Sequence, residues 1–422
     1  MQQAILLLES GQAFYGQGFG VNGTIFAEVV FNTSMTGYTE SLTDPSYAGQ
    51  LLCFSYPLIG NYGATLEWGE SGQIFASGVI VSQLENEPSH RSATEFNSTL
   101  VSTDKSQVFG SLDSFLKKFK KSGISGIDTR ALVKILRDVG TMPAVLKVVD
   151  KEDLPKITSL EKGKKVFEEL KKQVDNPEEV GFLDWARKVG SKEIKSFVWQ
   201  KELDPRLNFP GGRLVLNSKF KIQNSKLKAK RVVLIDCGVK ENIVRELAKR
   251  DFEVVLVPPT STFEQIIELK PDGILISNGP GDPRDYDYIY KTVARLIKYS
   301  LEPENHLPIF GICLGNQLIA CAIEAEIYKM KFGNRGSNQP VIHQQTKKAY
   351  LTSQNHSYAV RAETLPEGWE VLFSNLNDQT VEGLTHESGQ IFSVQFHPEA
   401  CAGPRDTNFL FDQFEQLIKR KN

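Results

Sequence analysis

Phe310-Gly311-Ile312-Cys313-Leu314-Gly315-Asn316-Gln317-Leu318 decides the fold class of this 422-residue chain. The apolar run Leu307–Ile312 (LPIFGI) predicts a buried strand, and helical sequence follows directly after Cys313. Glycines stand two before and two after the cysteine, the Gly-x-nucleophile-x-Gly spacing of a nucleophile elbow. Such a turn pushes its central side chain into the open. The helix that follows turns its positive end toward the sulfur, which favours thiolate. The backbone N–H of Leu314 is then placed to donate to an oxyanion. Gln317, four residues on, shares a helix face with Cys313. The plain alternative is a buried structural cysteine, a common fate of this residue. The strand-turn-helix context favours the nucleophile for Cys313. Cys53, Cys237, Cys321 and Cys401 are read as structural.

Working outward, the region from about 229 to 422 alternates strand and helix patterns. Arg231–Asp236, Phe252–Val257 and Gly273–Ser277 predict strands, while Glu241–Lys249, Thr262–Leu269 and Tyr288–Tyr299 predict helices. That alternation implies βαβ units and a parallel sheet, with ligands beyond the carboxyl ends of the strands. Cys313 lies at that edge. So does Asn278–Pro283 (NGPGDP), either a plain turn or a loop whose N–H groups complete an oxyanion hole.

A cysteine nucleophile needs a base. Of the six histidines, His397 stands out. It ends the predicted strand Gln390–Phe396, proline follows, and the His-x-Glu spacing can bring Glu399 to the imidazole as a third, orienting group. His356, in Gln354-Asn355-His356-Ser357, is the rival; its expected loop position suits substrate contact better. No Pro-Cys-x-x-Cys follows His397, which removes a zinc-deaminase reading.

Residues 1 to about 150 have a different texture, rich in Gly, Ser, Thr, Tyr and β-branched residues. Thr24–Phe31 and Gln50–Ser55 predict strands, Leu112–Lys121 and Thr129–Val139 amphipathic helices. Gly16–Gly20 predicts a hairpin turn, since the spacing is not the dinucleotide fingerprint. Residues 151–228 are rich in lysine and glutamate and are expected to be a connector with helical pieces such as Leu160–Val174. Pro210-Gly211-Gly212 belongs to its poorly patterned part.

Composition agrees with a globular chain. Charged residues make up 24% and the formal net charge is −2, so no basic excess points to nucleic acid or a membrane surface. Every apolar run is interrupted before the roughly 20 residues a membrane helix needs. The first residues read as a strand rather than a signal peptide. Five cysteines without a CxxC pair predict a cytoplasmic, reducing compartment and no metal site.

GICLGNQL around Cys313, NGPGDP and QFHPEA around His397 resemble the class I (triad-type) glutamine amidotransferases. Val29–Tyr38 (VVFNTSMTGY), Thr43–Gln50 (TDPSYAGQ), Tyr56–Tyr62 (YPLIGNY), Ile127–Arg130 (IDTR), Lys331–Asn334 (KFGN) and Ser353–His356 (SQNH) are similar to the small subunit of carbamoyl-phosphate synthase. The resemblance thins over 91–111, an apparent insertion, and over the connector.

It implies an α/β chain in three parts. An N-terminal, β-rich mixed α/β domain (1–150) would dock a partner and contribute to the glutamine site. A connector (151–228) follows, then a class I amidotransferase domain (229–422) with a largely parallel, flavodoxin-like sheet. Cys313, His397 and Glu399 would be the triad. Glutamine contacts would be Ser46, reaching from the N-terminal domain, with Gly279, Gly281, Leu314, Gln317, Asn355, Ser357 and Tyr358. The implied partner is the large synthase subunit, which holds ATP and Mg and receives ammonia through a tunnel, in a hetero-oligomer. No cofactor is expected in this chain. Three positions depart from the family pattern: Ser357 for glycine, Tyr358 for phenylalanine and Asn316 for histidine. The alternatives are an amidotransferase subunit of another synthetase, as for anthranilate or GMP, and a non-catalytic scaffolding subunit.

Overall fold

Continuous runs of valine, isoleucine and leucine build central strands in both halves of the chain, because a strand sends successive side chains to opposite faces and here both faces are covered. The computed structural model describes residues 2–87, 108–150, 154–174, 184–203, 210–216 and 229–420. The insertion expected over 91–111 lies, up to residue 107, outside the described residues. So do 151–153, 175–183, 204–209 and 217–228 of the connector. The chain divides into two compact units, Met1–Phe182 and Leu183–Asn422.

The first unit is built on a closed barrel. Its strands are β1 (Gln3–Leu8), β2 (Ala13–Gly20), β3 (Gly23–Asn32), β4 (Gln50–Phe54), β5 (Gly78–Ile80), β6 (Ser122–Ser125) and β7 (Met142–Val149), in the order β1-β7-β3-β4-β5-β6-β2. Closure leaves no edge to aggregate. The helix Thr129–Val139 occupies the span expected for it, with Asp128 capping its start by accepting from the Ala131 N–H at 2.8 Å. Leu112–Lys118 is shorter than expected, and Lys120 stands beyond it with a φ of 53°. Leu160–Lys171 is the helical piece of the connector in this unit.

One expectation fails here. Gly16–Gly20 is not a hairpin turn but part of β2. A Cβ on Gly16 would lie 2.2 Å from the Ser125 carbonyl oxygen, and one on Gly18 2.5 Å from Val148 Cγ1. The glycines are there for close approach inside the barrel, not for a turn.

The second unit holds an eleven-stranded sheet. Its strands are β8 (Lys195–Leu203), β9 (Pro210–Leu216), β10 (Arg231–Ile235), β11 (Glu253–Val257), β12 (Gly273–Ile276), β13 (Ile309–Ile312), β14 (Ile327–His343), β15 (Ala349–Val360), β16 (Trp369–Asn375), β17 (Val381–His386) and β18 (Ile391–Val394). The order is β9-β8-β11-β10-β12-β13-β18-β17-β16-β14-β15. The central strands β11, β10, β12, β13 and β18 are parallel, in four pairings. The other six pairings are antiparallel. The sheet is therefore mixed, and a largely parallel sheet describes only its centre. The reason lies in the connections: no helix long enough for a crossover separates the strands from β14 to β18, and antiparallel neighbours need only short turns. Pro210-Gly211-Gly212, expected to be unpatterned, lies in edge strand β9, where proline is tolerated.

Alternate side chains of the parallel strands bury on opposite faces. Val233, Ile235, Ile274 and Ile276 pack with Ile289, Val293 and Leu296 of the helix Asp287–Leu301 and with Leu318 of the elbow helix. Val232, Leu234, Leu275, Phe310 and Phe392 pack with Leu247 of Glu241–Lys249 and Phe411 and Phe414 of Phe409–Lys419. Phe310 and Phe392 stack at 4.4 Å on adjacent strands, which fixes β13 beside β18. Cys313 and His397 both follow the carboxyl ends of these two strands.

Candidate active site

Cys313 joins β13 to the helix Leu314–Ala322 with φ 54° and ψ −101°, a strained conformation for a side-chain-bearing residue. Its neighbours make the turn possible. A Cβ on Gly315 would lie 2.2 Å from the Ile276 carbonyl oxygen, and one on Gly311 2.8 Å from the backbone of Gly315. Only glycine lets helix and strand approach this closely. The Cys313 N–H is anchored on the Val394 carbonyl at 2.8 Å. Leu314 opens the helix, so its N–H has no intrahelical acceptor.

His397 and Glu399 are both 2% exposed, and His397 Nδ1 lies 2.7 Å from Glu399 Oε1. A carboxylate only accepts, so Nδ1 carries the proton. The other ring nitrogen, Nε2, is buried and makes no hydrogen bond of standard geometry. The Cys313 sulfur is nevertheless close enough to act on the charge of the ring. Burial alone would push His397 toward the neutral form. Glu399, and after it Cys313, outweigh that and raise its pKa to about 10. Burial likewise opposes the charge of Glu399, but Lys240 and then His397 hold its pKa at about 2.

Lys240 was not found from sequence. It is 4% exposed, its Nζ lies 2.9 Å from Glu399 Oε1, and it donates to the Ala400 carbonyl at 3.1 Å. Its only sequence signal is its place in the turn after β10, at the ligand edge of a parallel strand. Asn278 holds that turn by accepting from the Lys240 N–H at 3.1 Å.

The Asn278–Pro283 loop lies against the elbow. A Cβ on Gly279 would come within 2.8 Å of Leu314 Cδ2 and 2.2 Å of the Cys237 carbonyl oxygen. Gly281 has φ 91°, which favours glycine, and Tyr286 supports the loop from below by donating to the Pro280 carbonyl at 2.8 Å. Asp282 is clamped by Arg284, at 2.9 and 2.6 Å, and hydrogen-bonded by the Tyr358 hydroxyl. Burial opposes its charge, and these bonds keep its carboxyl below the usual range.

Gln317 donates to the Tyr358 carbonyl at 3.0 Å and to Gln395 Oε1 at 3.1 Å. The Cys313 thiol faces the Asn355 carbonyl at 3.6 Å and the Gln395 Nε2 at 3.7 Å. Ser357 accepts from Arg335, and it is not among the residues with positive φ, so serine stands there without backbone strain. His356 departs from its expected loop position. It lies inside β15, with Nδ1 2.9 Å from the Tyr358 carbonyl and Nε2 3.2 Å from Gln354 Oε1, so its nitrogens serve strand and side-chain bonds. Asn316 donates to Gln395 Oε1 at 3.2 Å. Ser46 belongs to the first unit, in the turn Pro45–Tyr47, where its N–H donates to Asp44 at 2.9 Å. Cys313, Leu314, Gln317, Asn355, His397 and Glu399 thus form one connected cluster, with Gly279, Gly281 and Tyr358 bordering it.

Cys53 and Cys237 are fully buried, and burial pushes both thiols up. Among the described residues, no helix is long and apolar enough to cross a membrane. Nor does any group of three or more His, Cys, Asp or Glu side chains among them present itself to a metal ion.

Comparison with known proteins adds to this geometry. Residues 233–417 match the family described as glutamine amidotransferase class-I. Residues 6–146 match carbamoyl-phosphate synthase small chain, CPSase domain. The carbamoyl phosphate synthase small chain of Methanocaldococcus jannaschii is 42% identical over 99% of this chain and 100% of its own. That of Akkermansia muciniphila is 40% identical over 99% of this chain and 97% of its own. Among solved structures, a glutamine amidotransferase of Thermotoga maritima is 17% identical, covering 46% of this chain and 86% of its own, with a TM-score of 0.33.

Proposed function

The chain belongs to the family of carbamoyl phosphate synthase small chains, and from that premise we propose that it hydrolyses glutamine through Cys313, His397 and Glu399. The observation that carries this reading is the 2.7 Å pairing of His397 with Glu399 beside an elbow cysteine, all three buried at one sheet edge.

The chemistry follows from the charges. The sulfur of Cys313 attacks the side-chain amide carbon of glutamine, and the carbonyl oxygen takes up the electron pair. The N–H groups of Leu314 and the Gly279–Gly281 turn hold that oxygen. A ring as basic as His397 is protonated at neutral pH, so it has a proton to give to the departing nitrogen. Ammonia leaves and a thioester remains. The ring, now neutral, takes a proton from water, whose oxygen attacks the thioester; glutamate departs and the sulfur is restored. Glu399 orients the ring throughout and balances its charge.

Gln317, Asn355, Ser357 and Tyr358 are the further groups proposed to seat the glutamine. The ammonia passes to a large subunit that holds ATP and Mg and converts bicarbonate to carbamoyl phosphate, for arginine and pyrimidine synthesis in the cytoplasm. The parallel order β11-β10-β12-β13-β18 supports a flavodoxin-like centre for the amidotransferase domain.

The deciding experiment compares wild type with Cys313→Ser, with and without a carbamoyl phosphate synthase large subunit. Glutamine-dependent synthesis is lost in the variant and ammonia-dependent synthesis persists. Loss of both activities contradicts the reading. Activity restored only with another synthetase makes this an amidotransferase of a different pathway. No glutamate release from wild type with the large subunit present makes it a scaffolding subunit.

A further inference from the structure

Gln395 is fully buried between β18 and His397, and its side chain joins two parts of the site. Which end of that amide faces Cys313 follows from its neighbours. Gln317 Nε2 lies 3.0 Å from the Tyr358 carbonyl oxygen, which can only accept. Gln317 therefore presents its NH2 group there, and the same nitrogen reaches Gln395 at 3.1 Å. The atom of Gln395 that meets it must be an acceptor, Oε1. Asn316 Nδ2 donates to this oxygen as well, at 3.2 Å, while Ser393 donates to the Asn316 oxygen at 2.8 Å. With its oxygen held by two donors, Gln395 has only its NH2 to turn to the sulfur. Nε2 lies 3.7 Å from Cys313 Sγ, an ordinary distance for N–H···S.

We propose that Gln395 is a further catalytic residue, which donates an N–H to the Cys313 sulfur and holds it as an anion for attack. The inference rests on the glutaminase reading for the reaction that the sulfur performs. While the proton is on sulfur, the thiol donates to the Asn355 carbonyl at 3.6 Å. With the proton on His397 instead, that carbonyl faces a negative sulfur and repels it. The Gln395 N–H then becomes a charge-assisted donor, the stronger kind of hydrogen bond. Gln317 fixes the amide from the other side, so a residue proposed to contact glutamine also sets the donor on the nucleophile.

Gln395→Glu is the matching test, because it keeps the shape and the acceptor oxygen but replaces the donor with an oxygen. Gln395→Met removes both polar ends at similar volume. The readout is alkylation of Cys313 by iodoacetamide in the full chain without glutamine, at about pH 7.5, where rate follows thiolate character. Roughly tenfold slower alkylation is expected in both variants, with glutaminase kcat falling in parallel and KM for glutamine changing less than about threefold. A merely structural role would move KM and thermal stability and leave the alkylation rate of a folded variant alone. Alkylation within about twofold of wild type overturns the proposal; if Gln395→Glu does not fold, Gln395→Met decides on the same readout. Slower alkylation in a protein whose wild type releases no glutamate keeps the donor and removes the glutaminase reading instead.

Discussion

Lys240 shares a single carboxylate oxygen with His397: its Nζ lies 2.9 Å from Glu399 Oε1, and His397 Nδ1 lies 2.7 Å from the same atom. Two cationic groups thus meet one buried acid, and they act on the ring in opposite directions. Lys240 keeps Glu399 ionised, which raises the basicity of His397, yet its own charge lowers it. Lys240→Met leaves Glu399 with His397 as its remaining ionic partner and loosens its hold on the Ala400 backbone. Glutaminase kcat/KM is expected to fall about tenfold or more, part of the roughly 10²–10⁴ that a positioned acid–base group supplies. Steady-state glutamate release at neutral pH measures it, and an unchanged value contradicts the role assigned to Lys240.

Stability should carry the imprint of the same pair. His397 titrates at about 10 in the fold against an ordinary value of about 6.5. A raised pKa means that the pairing stabilises the fold fully below about pH 6.5 and is lost as pH rises through about 10. For Glu399, lowered to about 2, the contribution is present above about 4.5 and is lost as pH falls through 2. Urea unfolding of wild type and His397→Asn at pH 6, 8 and 10 tests the first half. The stability gap narrows with rising pH; a gap that widens refutes the assignment.

At Gly281, alanine would carry a Cβ 1.9 Å from the Tyr286 hydroxyl oxygen, at a φ of 91° that side chains rarely adopt. The loop must shift, and with it the proposed oxyanion donor. Gly281→Ala should lower glutaminase kcat by roughly 10²–10³, the cost of losing one such donor, while Cys313 stays alkylatable. Adding Tyr286→Phe removes the clashing oxygen and should recover part of the loss. Full activity in Gly281→Ala would take this loop out of the oxyanion hole.

Away from the site, Arg231 and Glu253 form a buried pair at 2.8 Å between neighbouring strands β10 and β11. Arg231→Met leaves the buried Glu253 carboxylate without its cation, with the Ser196 hydroxyl still donating to it at 3.2 Å, and should cost about 3–5 kcal/mol in urea unfolding. Arg231→Met with Glu253→Leu should regain most of that, because removing both charges also removes the uncompensated one. A double variant no more stable than the single one contradicts this account.

Local patterns proved readable where neighbours along the chain decide the outcome. Thr129–Val139 and Glu241–Lys249 have the bounds their periodicity predicts. Cys313 lies in the strand-turn-helix that two flanking glycines require. His397 meets Glu399 because a two-residue spacing after a strand end brings them into reach. Glycine was the weakest guide. Gly16 and Gly18 looked like a turn, yet the barrel uses them where other backbone and side-chain atoms press in, and sequence does not name those atoms. His356 looked like a loop residue because polar side chains surround it; pairing with β14 makes it strand.

The order of residues along the chain pointed to the elbow turn of Cys313 and to the His397–Glu399 pair, since each depends on contacts within a few positions, while the pairing of β13 with β18 brings the two together. Which buried groups stand behind them, Lys240 on Glu399 and Gln395 on Cys313, was decided only by the order of strands in the sheet. Placing the ends of β10, β13 and β18 along one edge brings distant residues into a low-dielectric pocket, where a single ammonium or amide governs the charge of its neighbour.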